Sequence, residues 1–329
     1  MRMKKFNEIF IDKTKYGEKI QTSEYEKQGK HIIVDQGQAE IAGYTNREEG
    51  LFNEVPVIIF GDHTRLIKYI DEPFFLGADG VKVLRSKEKN ANYKYLYYAL
   101  KSAKIPNTGY NRHFKWLKDV EINYPDSVKQ EKIVDILDRV SDVIEKRKAE
   151  LSYLDTLIKA RFVEMFGDPI INSKGLETKE LNEVLVLKAG DFTAASDISV
   201  EPAEINIYPC YGGNGIRGYV AEYNQEGEYS LVGRQGALSG NVQYATGKFK
   251  NTEHALLVKP IIRMNSIWLN QLLLNLDLKR YQTGAAQPGL SVKNLQDIQI
   301  IMVPIDEQRQ FAAFVNEIDK SKLQKFSAA

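Results

Sequence analysis

The chain has 329 residues, 43% of them hydrophobic and 27% charged, with a formal net charge of +1. That is the make-up of a globular protein with room for about two domains. A single cysteine, Cys210, excludes an internal disulfide framework and fits a reducing cytoplasm. No apolar run approaches the ~18 residues of a transmembrane helix, and MRMKKFNEIF lacks the apolar core of a signal peptide. Residues 1–123 carry 21 Lys and Arg against 17 Asp and Glu, and residues 170–302 carry 12 against 13. Charge so near balance excludes nucleic-acid binding by bulk electrostatics alone, so much phosphate neutralisation would fall to a partner.

In chain order, residues 1–123 read as a mixed domain, with strand-like runs at 55–60 and 81–84 and a helical stretch at 93–103. Residues 127–166 contain no Gly and no Pro. Their apolar residues recur at alternating four- and three-residue steps: Ile133, Leu137, Val140, Ile144, Leu151, Leu154, Ile158 and Met165, with Arg147 and Arg161 at the two remaining seam positions. A second stripe (Val134, Val143, Leu157, Phe162) widens the face. The pattern predicts a helix of roughly 60 Å. It is either the core helix of one large domain or a spacer between two, and the flanking sequence favours the spacer. Asp168-Pro169 ends the helix and 172–175 is a linker. Strand-like runs follow at 229–232 and 255–258, a helical stretch at 266–276, and a last helical pattern over 306–326, about half as long as the first.

The sequence is one unit written twice. Phe6-Asn7-Glu8-Ile9-Phe10 matches Leu181-Asn182-Glu183-Val184-Leu185, and Gly43-Tyr44 matches Gly218-Tyr219. The run ending Gly61-Asp62-His63 answers the run ending Gly233-Arg234-Gln235. Lys115-x-Leu117-x-Asp119-Val120-x-Ile122 answers Lys293-x-Leu295-x-Asp297-Ile298-x-Ile300, followed by Pro125 and Pro304, then by Gln130 and Gln308, each opening a helical pattern. The offset stays between 172 and 179 throughout, so order and spacing are shared as well as letters. The predicted fold is α+β: two similar domains, 1–123 and 170–303, with a central helix over 124–169 and a shorter one over 304–329. The helices are expected to pack as an antiparallel coiled coil, giving a pseudo-two-fold internal repeat suited to duplex DNA read at two separated places.

Gly213-Asn214-Gly215-Ile216-Arg217-Gly218 matches the dinucleotide fingerprint in letters, yet Pro209 precedes it and no helix opens after it, so a surface loop with close backbone approach is the better reading. The four histidines show no metal-ligand spacing, Cys210 has no partner for a zinc pair, and no nucleophile or phosphate-loop motif occurs. Three loops are candidates to read DNA: 212–219 with Arg217; 233–236 with Arg234 and Gln235, matched by 61–65 with Arg65; and 281–288 with Tyr281, Gln282 and Gln287, matched by 107–115 with Tyr110, Asn111 and Arg112. Arg pairs bidentately with guanine, and Asn or Gln with adenine. The two tyrosines offer stacking or phosphate bonds, while Lys115 and Lys293 read as phosphate contacts. For any one of them a satisfied loop side chain is the alternative.

With the repeat in hand, the chain resembles the specificity subunit of type I restriction–modification systems. The marks are Phe162-Val163-Glu164-Met165-Phe166-Gly167-Asp168-Pro169, Tyr208-Pro209-Cys210-Tyr211-Gly212-Gly213-Asn214-Gly215 and Val303-Pro304-x-x-Glu307-Gln308. The resemblance implies two target-recognition domains, each reading half of a bipartite double-stranded DNA site, with spacer helices that fix the gap and dock two methyltransferase subunits. It implies a non-catalytic chain without cofactor: S-adenosylmethionine, ATP and magnesium would sit in partner subunits, which methylate adenine and, through a restriction (translocase) subunit, cleave. Ile133, Leu137, Val140, Ile144, Leu151, Leu154, Ile158 and Phe162 are the expected helix-pairing and docking residues. Because the second helical stretch is short, the antiparallel pair is expected to be incomplete and the second methyltransferase dock weakened. A stand-alone DNA-binding regulator or restriction antagonist, or a pure scaffold, are the rival readings.

Overall fold

The computed structural model describes residues 2–77, 79–236, 238–284 and 288–324. The chain forms two compact units, Met1–Lys146 and Arg147–Ala329. Unit 1 contains β1 (Met3–Lys5), α1 (Phe6–Ile9), β2 (Phe10–Asp12), β3 (His31–Val34), β4 (Gly43–Thr45), β5 (Val57–Gly61), β6 (Ile67–Ile70), β7 (Phe74–Leu76), β8 (Val81–Ser86), α2 (Tyr93–Lys101), α3 (Phe114–Leu117) and β9 (Glu121–Asn123). The helix α4 (Ser127–Phe166) follows, and the boundary between the units falls inside it. Unit 2 continues with β10 (Thr178–Glu180), α5 (Leu181–Val184), β11 (Leu185–Ala189), β12 (Tyr208–Gly212), β13 (Gly215–Val220), β14 (Gln225–Gly233), β15 (Val242–Asn251), β16 (Ala255–Pro260), α6 (Ser266–Asn275), α7 (Val292–Leu295), β17 (Gln299–Ile301) and α8 (Ile305–Gln324).

The repeated sequence builds repeated structure. Strand order is β2-β8-β5-β6 in unit 1, and the sheet of unit 2 begins with the same arrangement, β11-β16-β14-β15, before adding β12 and β13. In unit 1 the counterpart of that extension is a separate sheet, β4-β3-β7. The ten-residue β15 runs without a break, whereas Asp71-Glu72-Pro73 separates β6 from β7. A proline offers no N–H to a ladder, so the single long strand of one unit is two short strands in the other.

β5 is buried along its whole length because both faces are covered. Ile58 and Phe60 pack with Phe6, Phe10, Leu96 and Leu117, while Val57 and Ile59 pack with Phe52, Phe74 and Leu76. β14 ends the same way, with Leu231 in one cluster and Val232 in the other.

The matching polar letters have matching jobs. The Glu8 carboxylate accepts the Lys5 amide at 2.6 Å and the Glu183 carboxylate accepts the Glu180 amide at 3.0 Å, each closing the first turn of a short helix. Asn92 caps α2 and Asn265 caps α6. Buried Gln130 donates to the Pro125 carbonyl and buried Gln308 to the Val303 carbonyl, each at 2.9 Å. That clasp is why a glutamine opens each helix after the proline.

The two ends of α4 are held differently. Within unit 1, Ile133 and Val134 pack on the domain core, and Asp138 accepts from the Tyr98 hydroxyl and the Lys94 ammonium, each at 2.6 Å. Ile133 and Leu137 were expected on a helix-pairing seam; Ile133 packs on its own domain, and both line a groove beside Tyr95 and Tyr98. Val140 and Ile144, expected on the same seam, are exposed. Within unit 2, α8 runs antiparallel to α4. Phe162 meets Phe311 edge-on at 5.4 Å, the Lys322 ammonium pairs with Asp155 at 2.8 Å, and Arg147 donates to the Lys322 carbonyl. Ile158, Phe162 and Phe166 are buried in the core that contains Trp268 and Phe311, while Leu151 and Leu154 are half-buried. Among the described residues the seam is thus a helix pair over its second half.

Phe162→Ala should destabilise unit 2 by about 3–5 kcal/mol, the cost of emptying a buried aromatic site. Val140→Ala should change stability by less than ~0.5 kcal/mol. Chemical denaturation of the two variants checks the contrast.

Candidate nucleic-acid interface

In each unit the doubly covered central strand runs out into a glycine and then a polar pair. In unit 1 that pair, Asp62-His63, is knitted to three other segments. The Asp62 amide donates to Gly80 at 2.6 Å and the His113 amide to the Asp62 carbonyl at 2.7 Å. The Asp62 carboxylate accepts the Phe114 amide at 2.7 Å. His113 is fully buried, and its Nδ1 donates to the Asp62 carbonyl at 3.0 Å. Gln36 completes the weave, accepting the His63 amide at 3.1 Å and donating to Asp79 at 2.7 Å. From this frame Tyr110 projects, 88% exposed, its ring stacked on His63 at 4.7 Å. Arg112 is exposed beside it. The Asp79 carboxyl lies below the usual carboxylate range, chiefly through its hydrogen bond from Lys19 and to a smaller extent through Arg112.

In unit 2 the counterpart, Arg234-Gln235, is fixed by backbone pairing on both sides. The Arg234 amide donates to the His254 carbonyl at 3.1 Å, Leu290 donates to the Arg234 carbonyl at 2.8 Å, and Gly236 donates to Pro288 at 2.9 Å. Gly236 sits at φ +75°, which a side chain would oppose. The GxGxxG segment, expected as a surface loop, is the turn of the β12–β13 hairpin together with most of β13, with Gly212 paired to Gly215. A Cβ on Gly233 would lie 2.2 Å from the Gly213 carbonyl oxygen, so the hairpin tip and the Arg234 loop touch through backbone. The expected close approach is present, but Pro209 lies inside a strand. It is tolerated because parallel pairing of β12 with β15 starts only at Cys210, leaving Pro209 paired on one side. Burial pushes the Cys210 thiol up, which leaves it an unreactive core group.

The expected reading residues divide into free and committed ones. Arg217, Arg234 and Lys293 form no side-chain hydrogen bond or ion pair within the described residues; Arg217 and Lys293 are exposed and Arg234 is half-exposed. Lys115 is exposed, its ammonium 4.2 Å from the Trp116 ring centre. Arg65 is half-buried at φ 61°, and its Nη1 donates to the Ile105 carbonyl at 3.3 Å. Gln282 is likewise committed, its amide donating to the Ser239 carbonyl, and Tyr281 packs against the core of unit 2. Asn111 bonds Thr108 within its own loop. Gln287 lies outside the described residues. Gln36, Asp79 and His254 carried no signal in the sequence because their partners are brought by distant strands. Asn241 and Asn214 join the same edge, bonded at 3.0 Å.

Among the described residues, the two mixed domains each end in loops held by hydrogen bonds, on which Arg112, Arg217 and Arg234 form no side-chain hydrogen bond or ion pair. The sequence profile described as the type I restriction modification DNA specificity domain matches residues 1–153 and 173–326, and the chain belongs to that family. It is 38% identical to the type I restriction enzyme EcoprrI specificity subunit of Escherichia coli, over 58% of this chain and 48% of that protein. The chain therefore aligns with about half the length of that relative. The crystal structure of a type I restriction-modification system S subunit from M. genitalium shares the fold, with a TM-score of 0.59 at 20% identity, over 99% of this chain and 91% of that one. No described helix is long and apolar enough to cross a membrane.

Asp62→Ala would leave the buried Phe114 amide without its acceptor. It should cost about 1–3 kcal/mol and raise amide exchange at Phe114 and its neighbours, read by denaturation and by hydrogen exchange.

Proposed function

We propose that this chain is the sequence-reading subunit of a type I restriction–modification complex, non-catalytic by itself. Each unit reads one half of a bipartite duplex site. The helical segments set the gap and dock two methyltransferase subunits, and a restriction subunit joins through the complex. S-adenosylmethionine, ATP and magnesium belong to those partners. One observation carries the reading: the loops at the ends of both units are hydrogen-bonded into fixed frames, and on them Arg112 in one, and Arg217 and Arg234 in the other, form no side-chain hydrogen bond or ion pair among the described residues. Arginine held on a fixed frame is suited to bidentate pairing with guanine in the major groove. The exposed apolar side chains Ile136, Val140, Val143 and Ile144 form the docking surface for a methyltransferase subunit. A regulator acting alone would need a strongly basic surface, and the net charge is +1.

Mapping methylated adenines in cells that carry the chain with its methyltransferase partner tests the reading; no bipartite motif would refute it. With the motif in hand, Arg234→Ala should lose about 1–3 kcal/mol of discrimination at one half-site only. Lys293→Ala should weaken binding to all sequences alike and lower the salt slope by about one ion. Competition binding at several salt concentrations separates the two effects.

A further inference from the structure

Gln235 is exposed at the loop edge, and its backbone is pinned by a bridge to Gly289 and by the bonds that flank it. Its side chain is held as well. The Gln235 Oε1 lies 2.7 Å from His254 Nδ1, and the opposite ring nitrogen, Nε2, lies 3.1 Å from the Glu253 carboxylate. Glu253 is fixed in turn, its amide donating to Asp191 at 3.2 Å, and its second carboxylate oxygen is buried without a partner among the described residues. An amide oxygen can only accept, so the short contact with Gln235 makes His254 Nδ1 the donor. An amide tied down through one lone pair of its oxygen is fixed in orientation and keeps its NH2 turned outward to offer.

We propose that His254 is a positioning residue for DNA reading, holding Gln235 so that its amide NH2 faces an acceptor on a base edge, such as purine N7 or O6 or thymine O4. The inference rests on the function proposed above and deepens it. A free glutamine pairs with adenine by using both its oxygen and its NH2. With one lone pair of the oxygen occupied by His254 and the amide's rotation stopped, Gln235 offers its NH2 first, which changes the bases it accepts and lowers the entropy lost on binding.

The test uses the complex of the full chain with its methyltransferase partner and duplexes carrying single base-pair changes. The half-site that responds to Arg234→Ala identifies the base pairs read by unit 2. His254→Ala should lose about tenfold discrimination at one pair in that half, the scale of a single base contact, with the other half unchanged. His254→Asn, whose Nδ2 can stand where the ring Nδ1 stands, should restore most of it. Unchanged discrimination in His254→Ala, equal loss in His254→Asn, or loss at both half-sites overturns the assignment. If the wild-type complex prefers no duplex at all, the reading of function fails first and this inference falls with it.

Discussion

Burial of one strand on both faces is the constraint on which the rest depends. β5 and β14 are each sandwiched between apolar clusters, so neither can slip by a residue without moving a whole row of side chains into the wrong layer. The glycine at the strand's end and the polar pair after it are therefore delivered to a fixed place. Loops that would wander on a softer support are stitched to each other by backbone bonds around Asp62 in one unit and Arg234 in the other. Recognition needs that stiffness, because a side chain that must be ordered on binding spends part of its contact energy on the ordering.

The two units reach this end by different means. Unit 2 uses backbone pairing between the loop after β14 and residues 288–290, while unit 1 uses the side chains of Asp62, His113 and Gln36. A single proline, Pro73, also splits into two sheets what is one sheet in unit 2. The duplicated scaffold thus carries two differently built edges.

Much of this was legible in the sequence. The duplication, the long helix and the strands around 57–60 and 229–232 follow from periodicity and from letters that recur at a near-constant offset. The caps and clasps of Glu8, Asn92 and Gln130, repeated as Glu183, Asn265 and Gln308, explain why those letters recur. The edge itself was legible only in part. Loop position marked Arg112, Arg217 and Arg234, but nothing local says that Arg65 and Gln282 each donate to a backbone carbonyl, at Ile105 and Ser239. The heptad pattern misled in one respect: apolar spacing is the same whether a helix faces a second helix, as at Phe162, or the body of its own domain, as at Ile133.

The middle of α4 has a consequence for the life of the protein in a cell. Between Asp138 and Arg147 its valines and isoleucines are exposed among the described residues, and a helix stretch whose apolar face packs on nothing gains little from tertiary packing. Such a stretch invites self-association and proteolytic attack whenever it is uncovered.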